Sequence, residues 1–474
     1  MLLLDGSCKP TLRGVAFTVA LSVAGCGATP SQPGPAPYEG FPLTLAEAVD
    51  LDAAPASLRV ELVAATAPHV LGPSRSMLVA TYGETLPGPL IRANKGDQLR
   101  VEFRNSLAEP STVHWHGVRL PNAMDGVPGE TQRAVEPDET FVYDFALPDA
   151  GLFWYHPHYD SVHQVGSGLY GALLVEDPEE GELGKQTVLV LSDLDATGPG
   201  AGDELDEATL LAGREGSLVL VNGLLRPTLA ARRGERQRWR IVNAARSQYF
   251  RLGLAGHTFV QIGGDGGRWA APVELSEPQI APGERLDLLL EPNAEAGDRV
   301  ALEALPFARG TPLAPSETRE LLTLVFEAPA PSPSPALGSL GRALAPIDVT
   351  SATPVPLSLT VAGAGSDVSM GINGQPFAAG EMVTARVGET QILEVTNETP
   401  FHHPFHLHGF FFQALGPAGG APLPVAFKDT IDIPPLGVER LAVHYDARPG
   451  MWMFHCHILD HAEAGMMGMI DLRP

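Results

Sequence analysis

Gly96-Asp97-Gln98-Leu99-Arg100-Val101-Glu102-Phe103-Arg104-Asn105 alternates apolar and polar side chains and ends in asparagine. That is the period-two signature of a strand with one buried face. The frame returns at Gly234-Glu235 to Asn243 and at Gly388-Glu389 to Asn397, nine residues from Gly to Asn each time. Upstream of each copy is a glycine turn: Tyr82-Gly83, Asn222-Gly223 and Asn373-Gly374. Downstream come Glu136-Pro137-Asp138-Glu139, Pro282-Gly283-Glu284-Arg285 and Pro435-Leu436-Gly437-Val438-Glu439-Arg440, each followed by another alternating run. Three copies predict three homologous β domains built from short strands, with few sustained helices.

Composition sets the boundaries of that repeat. A Glu/Gly-rich stretch at 176–185 and a Pro/Ala/Ser-rich stretch at 328–346 interrupt the strand pattern. They divide the chain into domains at 46–180, 181–330 and 349–474, with a linker at 331–348. At 474 residues, 44% hydrophobic and 18% charged, the chain is long enough for several cores and reads as globular. A formal net charge of −25 argues against a nucleic-acid surface and suits cationic or neutral small partners. Asp203 to Glu207 reads as a solvated acidic loop.

At the N-terminus, Lys9 and Arg13 precede an apolar run from Val15 to Ala24, too short for a mature membrane span and right for a secretory signal. It ends in Val23-Ala24-Gly25-Cys26, which resembles a bacterial lipobox. The expectation is a lipoprotein-type signal peptide over 1–25, acylation at Cys26, and a Pro-rich tether over 26–45. The mature protein would be exported, periplasmic or at the cell surface, and monomeric. Of three cysteines, Cys8 and Cys26 lie in this segment, leaving Cys456 without a disulfide partner and available to a metal.

Around Cys456 the sequence reads His455-Cys456-His457-Ile458-Leu459-Asp460-His461-Ala462-Glu463-Ala464-Gly465-Met466. Alternation on a strand sends Cys456 to one face and His455 with His457 to the other, placing one thiolate between two metal sites. A thiolate, imidazoles and a distant thioether suit a trigonal copper that transfers single electrons. Cys456, His461 and Met466 supply three of those four groups, with Met467 a rival thioether. Ten of the fifteen histidines sit in four clusters: His114-Trp115-His116, His156-Pro157-His158, His403-Pro404-Phe405-His406-Leu407-His408, and the stretch just quoted. Pro404 is expected to break the strand so that His403 points away from His406 and His408, toward Cys456. One Cys and two His for the trigonal site leave eight His, enough for two three-His coppers and one two-His copper.

These four motifs resemble the multicopper oxidase family, the three-domain, laccase-like enzymes, over nearly the whole mature chain. The resemblance implies an all-β fold of three cupredoxin-like Greek-key β-barrel domains. It implies four copper ions: type 1 at His403, Cys456 and His461 with Met466 axial, type 2 at His114 and His406, and a type 3 pair at His116, His156, His158, His408, His455 and His457. The middle domain, holding only His257, is expected to be a spacer. Asp125, in Met124-Asp125-Gly126, matches the family's acidic residue near type 2 and is the candidate proton relay, with an Asp-Gly turn as the plain alternative.

The implied chemistry is four one-electron oxidations of a small-molecule reductant coupled to reduction of O2 to water, through Cys456. The Ala462-Glu463 order departs from many bacterial relatives, leaving Glu463 between proton delivery and surface. A phenolic or aromatic reductant is expected, because no Met-rich insert appears; a cuprous or ferrous metallo-oxidase in copper detoxification is the alternative. A cupredoxin-like scaffold that has lost its metals would lack ligands, and a copper nitrite reductase would be a shorter two-domain chain. Asp429 is assigned either to orienting His403 or to capping a turn, and Trp115 and Trp154 to packing.

Overall fold

The computed structural model describes residues 41–474 except 42, 53, 74, 197–205, 312–313, 316, 331, 333, 335 and 417–422. The signal peptide, Cys26 and most of the proposed tether and acidic loop therefore lie outside the described residues. The described chain is built almost entirely of strands, arranged as three pairs of sheets.

Each of the three repeated frames occupies the same place in its pair. Gln98–Asn105 lies parallel to Ser57–Gly72 and antiparallel to Thr140–Ala146. Gln237–Asn243 lies parallel to Lys185–Leu194 and antiparallel to Arg285–Leu290. Thr390–Asn397 lies parallel to Thr353–Ala362 and antiparallel to Val438–His444. Parallel neighbours cannot be joined by a tight hairpin, so the chain crosses to the facing sheet between them, which closes each pair into a Greek-key, cupredoxin-like barrel. We assign the three pairs to domains at 46–180, 181–330 and 349–474, joined by a linker at 331–348.

The terminal asparagine of each frame explains its recurrence. Asn105 Nδ2 donates to the carbonyls of Glu109 and Val135, and its Oδ1 accepts from the Leu107 amide. Asn243 does the same with Gln248, Ile280 and Ala245. Asn397 does so with Phe401, Ile433, Pro434 and Thr399. All three are buried. Each ties the end of its strand to the turn that starts the next, and its loss would strand buried donors and acceptors at about 1–3 kcal/mol. The glycine turns recur as well: Asn222 and Gly223, and Asn373 and Gly374, have positive φ, the type I′ geometry that matches strand twist. In the first repeat that pair is Gly83-Glu84, one residue later than the Tyr82-Gly83 frame suggests.

Buried apolar residues of the first barrel (Val60, Phe103, Trp115) and the third (Leu393, Phe405, Trp452) belong to one continuous cluster, which also takes in Tyr249 and Ala281 of the middle barrel. The middle barrel has a core of its own around Trp239, Phe259 and Leu288. The histidine motifs sit where the first and third barrels meet.

Candidate metal centre

Two short strand pairings bring the candidate ligands together. In the first barrel His114–His116 runs antiparallel to Gly151–His156, placing His114 opposite His156. In the third, His403–Leu407 runs antiparallel to Gly450–Cys456, placing His406 opposite His455 and Phe405 opposite Cys456. Opposed residues share a face, so His406 and His455 face the first barrel while Cys456 faces away. The expectation that Pro404 breaks its strand is corrected here: Pro404 pairs with Asp432 within a continuous strand. His403 parts from His406 because three residues is an odd number of strand steps.

Of the eight histidines the sequence set apart from Cys456, all are brought together. Rings of His114 and His408 stack at 3.8 Å and those of His116 and His406 at 3.7 Å. His116 and His457 lie 5.0 Å apart, and His156 and His457 5.6 Å. Ring nitrogens converge in groups that include His158 with His408 and His455, His114 with His406 and His408, and His114 with His116 and His156. On the other face of the strand, His403, Cys456 and His461 form a separate group. All eleven side chains are buried except that of His158, which is partly exposed.

Proton placement shows what these groups can hold. A carbonyl oxygen only accepts, so a ring nitrogen facing one carries the proton and leaves a lone pair on the other. His114 Nδ1 donates to the Asp125 carbonyl, His406 Nδ1 to the Asp429 carbonyl, His156 Nδ1 to the Pro157 carbonyl and His455 Nδ1 to the Cys456 carbonyl. His408 Nδ1 donates to Asp125 Oδ2 at 2.9 Å. The nitrogens left over point at one another: His408 Nε2 lies 3.2 Å and His158 Nε2 3.5 Å from His455 Nε2. His114 Nε2, His116 Nδ1, His156 Nε2, His406 Nε2 and both nitrogens of His457 are buried without a hydrogen-bond partner. Buried lone pairs that converge without protons repel, and cations between them turn the repulsion into coordination. Burial, with the neighbouring imidazole of His406, pushes His455 down to about 3, and His156, His158, His408 and His457 are likewise held well below the usual range, burial being the largest cause. These five imidazoles are therefore neutral, as metal ligation requires.

The second group obeys the same logic. His461 Nε2 donates to the Leu211 carbonyl at 3.3 Å, and His403 Nε2 meets the Thr399 hydroxyl at 2.7 Å. Thr399 can give its own proton to Asn397 Oδ1, leaving its oxygen to accept from His403. The two Nδ1 atoms then face each other at 3.1 Å, with Cys456 Sγ 3.5 and 3.6 Å away. Burial pushes the Cys456 thiol up, so that without a cation it is a thiol and with one a thiolate ligand. Met466 is buried in the same apolar cluster as Cys456, whereas Met467 belongs to a separate cluster with Val127, Met453 and Met469. That separation places Met466, not Met467, on the side of Cys456.

Three residues take roles the sequence left open or missed. Asp125 is 1% exposed, ends the short helical turn Asn122–Met124 and reaches both His408 and, at 3.3 Å, His114 Nδ1. A Cβ on Gly126 would fall 2.0 Å from the Val113 carbonyl oxygen, so the Asp-Gly turn and the histidine contacts come as one unit. Asp429 does not reach His403; its Oδ1 meets His116 Nε2 at 3.1 Å, and its carbonyl holds His406. Arg285 was missed, because a lone arginine in a turn motif carries no sequence signal. Fully buried, it binds both Asp429 oxygens, the Asp265 carbonyl and, at 3.1 Å, the Leu152 carbonyl. The middle barrel contributes no side chain to these groups among its described residues yet is more than a spacer: its Arg285 fixes Asp429, whose carboxylate and carbonyl orient His116 and His406, and its Leu211 carbonyl holds His461. Glu463 is exposed, accepts from the Val162 amide and borders a cavity with His158 and His455. Trp154 packs on His156 at 4.2 Å, and Trp115 is core.

The multicopper oxidase family matches this chain over residues 66–180, 185–304 and 348–474. Multicopper oxidase MmcO of Mycobacterium tuberculosis is 33% identical over 442 residues, 84% of each chain. The solved multicopper oxidase of Pseudomonas thermotolerans is 34% identical, with a TM-score of 0.76 over 88% of this chain and 99% of that one. A multicopper oxidase of Campylobacter jejuni, a metallo-oxidase, is 26% identical, with a TM-score of 0.81 over 92% and 96%.

Proposed function

Because the chain belongs to the multicopper oxidase family and is a copper-dependent oxidoreductase, we propose that it couples four one-electron oxidations of a cuprous or other reduced metal ion to the reduction of O2 to water. His403, Cys456 and His461, with the Met466 thioether beside them, would hold the type 1 copper. His114 and His406 would hold type 2, and His116, His156, His158, His408, His455 and His457 the type 3 pair. Copper bound there supplies single-electron transfer at the thiolate and four-electron chemistry toward O2 at the imidazole cluster. The chain supplies the rest. Cys456 is bonded through its own backbone to His455 and His457, so the thiolate and two cluster imidazoles are linked by a short covalent path. Asp125 Oδ2 accepts the hydrogen bond of His408 Nδ1 and stands at the cluster as the group through which protons pass.

The observation that carries the choice of reductant is the roof over His461. Its outer nitrogen donates to the Leu211 carbonyl, at the end of the helix Glu207–Ala212. The roof is fastened by Arg214 Nε on Asp460 at 2.8 Å and by Glu207 on the Gly365 amide at 3.0 Å. His403 and His461 are both 0% exposed. A phenol ring needs an open edge on one of these imidazoles; a compact cation can pass its electron through the bonds of the roof. Exposed Asp206 and Glu207 on that helix, and a net charge of −25, favour a cation. The phenolic reading is therefore supported less well than its alternative. Export with a lipid anchor at Cys26 would place the enzyme where such ions arrive.

The test is copper content and visible spectrum of the purified protein, followed by oxygen uptake with Cu(I) and with a diphenol. Four coppers per chain, an intense thiolate-to-copper band, and faster turnover of Cu(I) than of diphenol are expected. Faster diphenol oxidation without added copper would overturn the metal-ion reading and leave the oxidase reading standing.

A further inference from the structure

Four of the five methionines after residue 450 gather on one face of one strand pair. Gly450–Cys456 runs antiparallel to Met467–Arg473 with Met453 opposite Met469, His455 opposite Met467 and Met451 opposite Asp471. Opposed residues share a face, so Met451, Met453, Met467 and Met469 lie on the side that carries His455. Met466 and Cys456 lie on the other. Met451, Met467 and Met469 line a cavity of about 650 Å³ whose wall also carries Met382, Glu130 and Glu381. Met382 is 57% exposed, and both glutamates are exposed. A second cavity, of about 410 Å³, contains Met453 and Met467 and reaches His158 and His455. Met467 and Phe377 line both.

From this arrangement we propose that the methionine face is a binding and delivery path for Cu(I), running from the acidic mouth at Glu130 and Glu381 to the imidazoles of His158 and His455. Thioethers are neutral, polarisable donors that select soft monovalent ions and release them readily to imidazole. A strand pair that only needed packing would be served by leucine, which holds its rotamer better. Carboxylates at the mouth draw a cation in, and the thioethers beyond them exclude hard, strongly hydrated ions. Transfer exchanges sulfur for nitrogen around the same Cu(I), so no electron moves and no co-reactant is consumed. The terminus of the path rests on the ligand reading above; the thioether site does not.

The test uses full-length enzyme with 13C-methyl methionine, its resident copper first measured, then reduced and kept anaerobic, and challenged with Cu(I) buffered by a chromophoric chelator. Binding of one further equivalent is expected, with methyl shifts at Met451, Met453, Met467 and Met469 and none at Met466. The M451L/M469L double variant, which keeps side-chain volume, should bind that equivalent about tenfold more weakly. Copper-stripped protein should refill with Cu(I) about tenfold more slowly in that variant, to the same final copper content. No further equivalent, or shifts at other methyls, overturns the site. Unchanged refilling overturns delivery, and if the variant does not fold, the shifts in the unaltered enzyme decide alone. A resident copper count that excludes the type 3 pair would instead strike the ligand reading, whatever the methyl groups do.

Discussion

His408 Nε2 and His455 Nε2 lie 3.2 Å apart with no proton between them, because each ring carries its one proton on Nδ1 and donates it in a hydrogen bond, His408 to Asp125 and His455 to the Cys456 carbonyl. Two lone pairs at that distance, on buried rings, oppose folding unless a cation joins them. Stripping copper with a chelator should therefore lower the thermal midpoint and leave the fold assembled. Ligand at about a thousand times its dissociation constant stabilises by about 4 kcal/mol. Calorimetry of stripped and reloaded protein measures it, and equal midpoints would dissociate the imidazole cluster from metal binding.

Asp125→Asn keeps an oxygen to accept from His408 while removing the charge and the proton-carrying carboxylate. Copper content should stay near that of the unaltered enzyme, and turnover should fall about 100-fold or more. A loss of copper in step with the loss of turnover would reduce Asp125 to a structural prop.

Arg285 separates orientation from charge. It is enclosed with Asp265 and Asp429, and removing it leaves Asp265 to Lys428 and takes from the buried Asp429 carboxylate its guanidinium partner. Arg285→Met should cost about 3–5 kcal/mol. Arg285→Lys keeps the charge but gives up the paired contacts with Asp429, so it should fold better than the methionine variant yet lose copper held through His116 and His406. Denaturant unfolding and copper analysis of both variants test this; a lysine variant with full copper would refute a positioning role.

Acid sensitivity should arise partly far from the coppers. Burial alone would raise the carboxyl of Asp287, but the Arg240 and Arg238 guanidiniums outweigh it and hold the group below the usual carboxylate range. Arg238 Nε to Asp287 Oδ1 measures 2.8 Å, and Arg238 also reaches Glu180 at 2.7 Å. A depressed folded value means stability that is fully present above the unfolded carboxylate value of about 3.9 and is lost as pH falls through the folded one. Asp287→Asn should flatten that part of the stability curve below about pH 4 while lowering stability at pH 7. If the acid limb keeps its slope, other carboxylates govern it.

Much of the fold is legible in the sequence. The nine-residue Gly-to-Asn frame gave the three barrels because a buried asparagine that satisfies its own turn has to recur wherever the same crossover does. Which histidines would converge was legible because a strand restricts which face each spacing can take: His-x-His can only mean one face, and His-Cys-His two. Pro404 was misread as a strand breaker, since a sequence does not say which amides the sheet leaves unpaired.

What only the tertiary structure decided is whatever depends on surfaces that meet from distant parts of the chain. Local periodicity fixes which face a side chain takes, but it carries nothing about what stands opposite. The Leu211 carbonyl over His461, Arg285 behind Asp429, and the shared face of Met451, Met453, Met467 and Met469 are all of that kind. Each follows from how barrels and strands pack, an outcome of summed burial and pairing over the whole fold rather than of any motif within it.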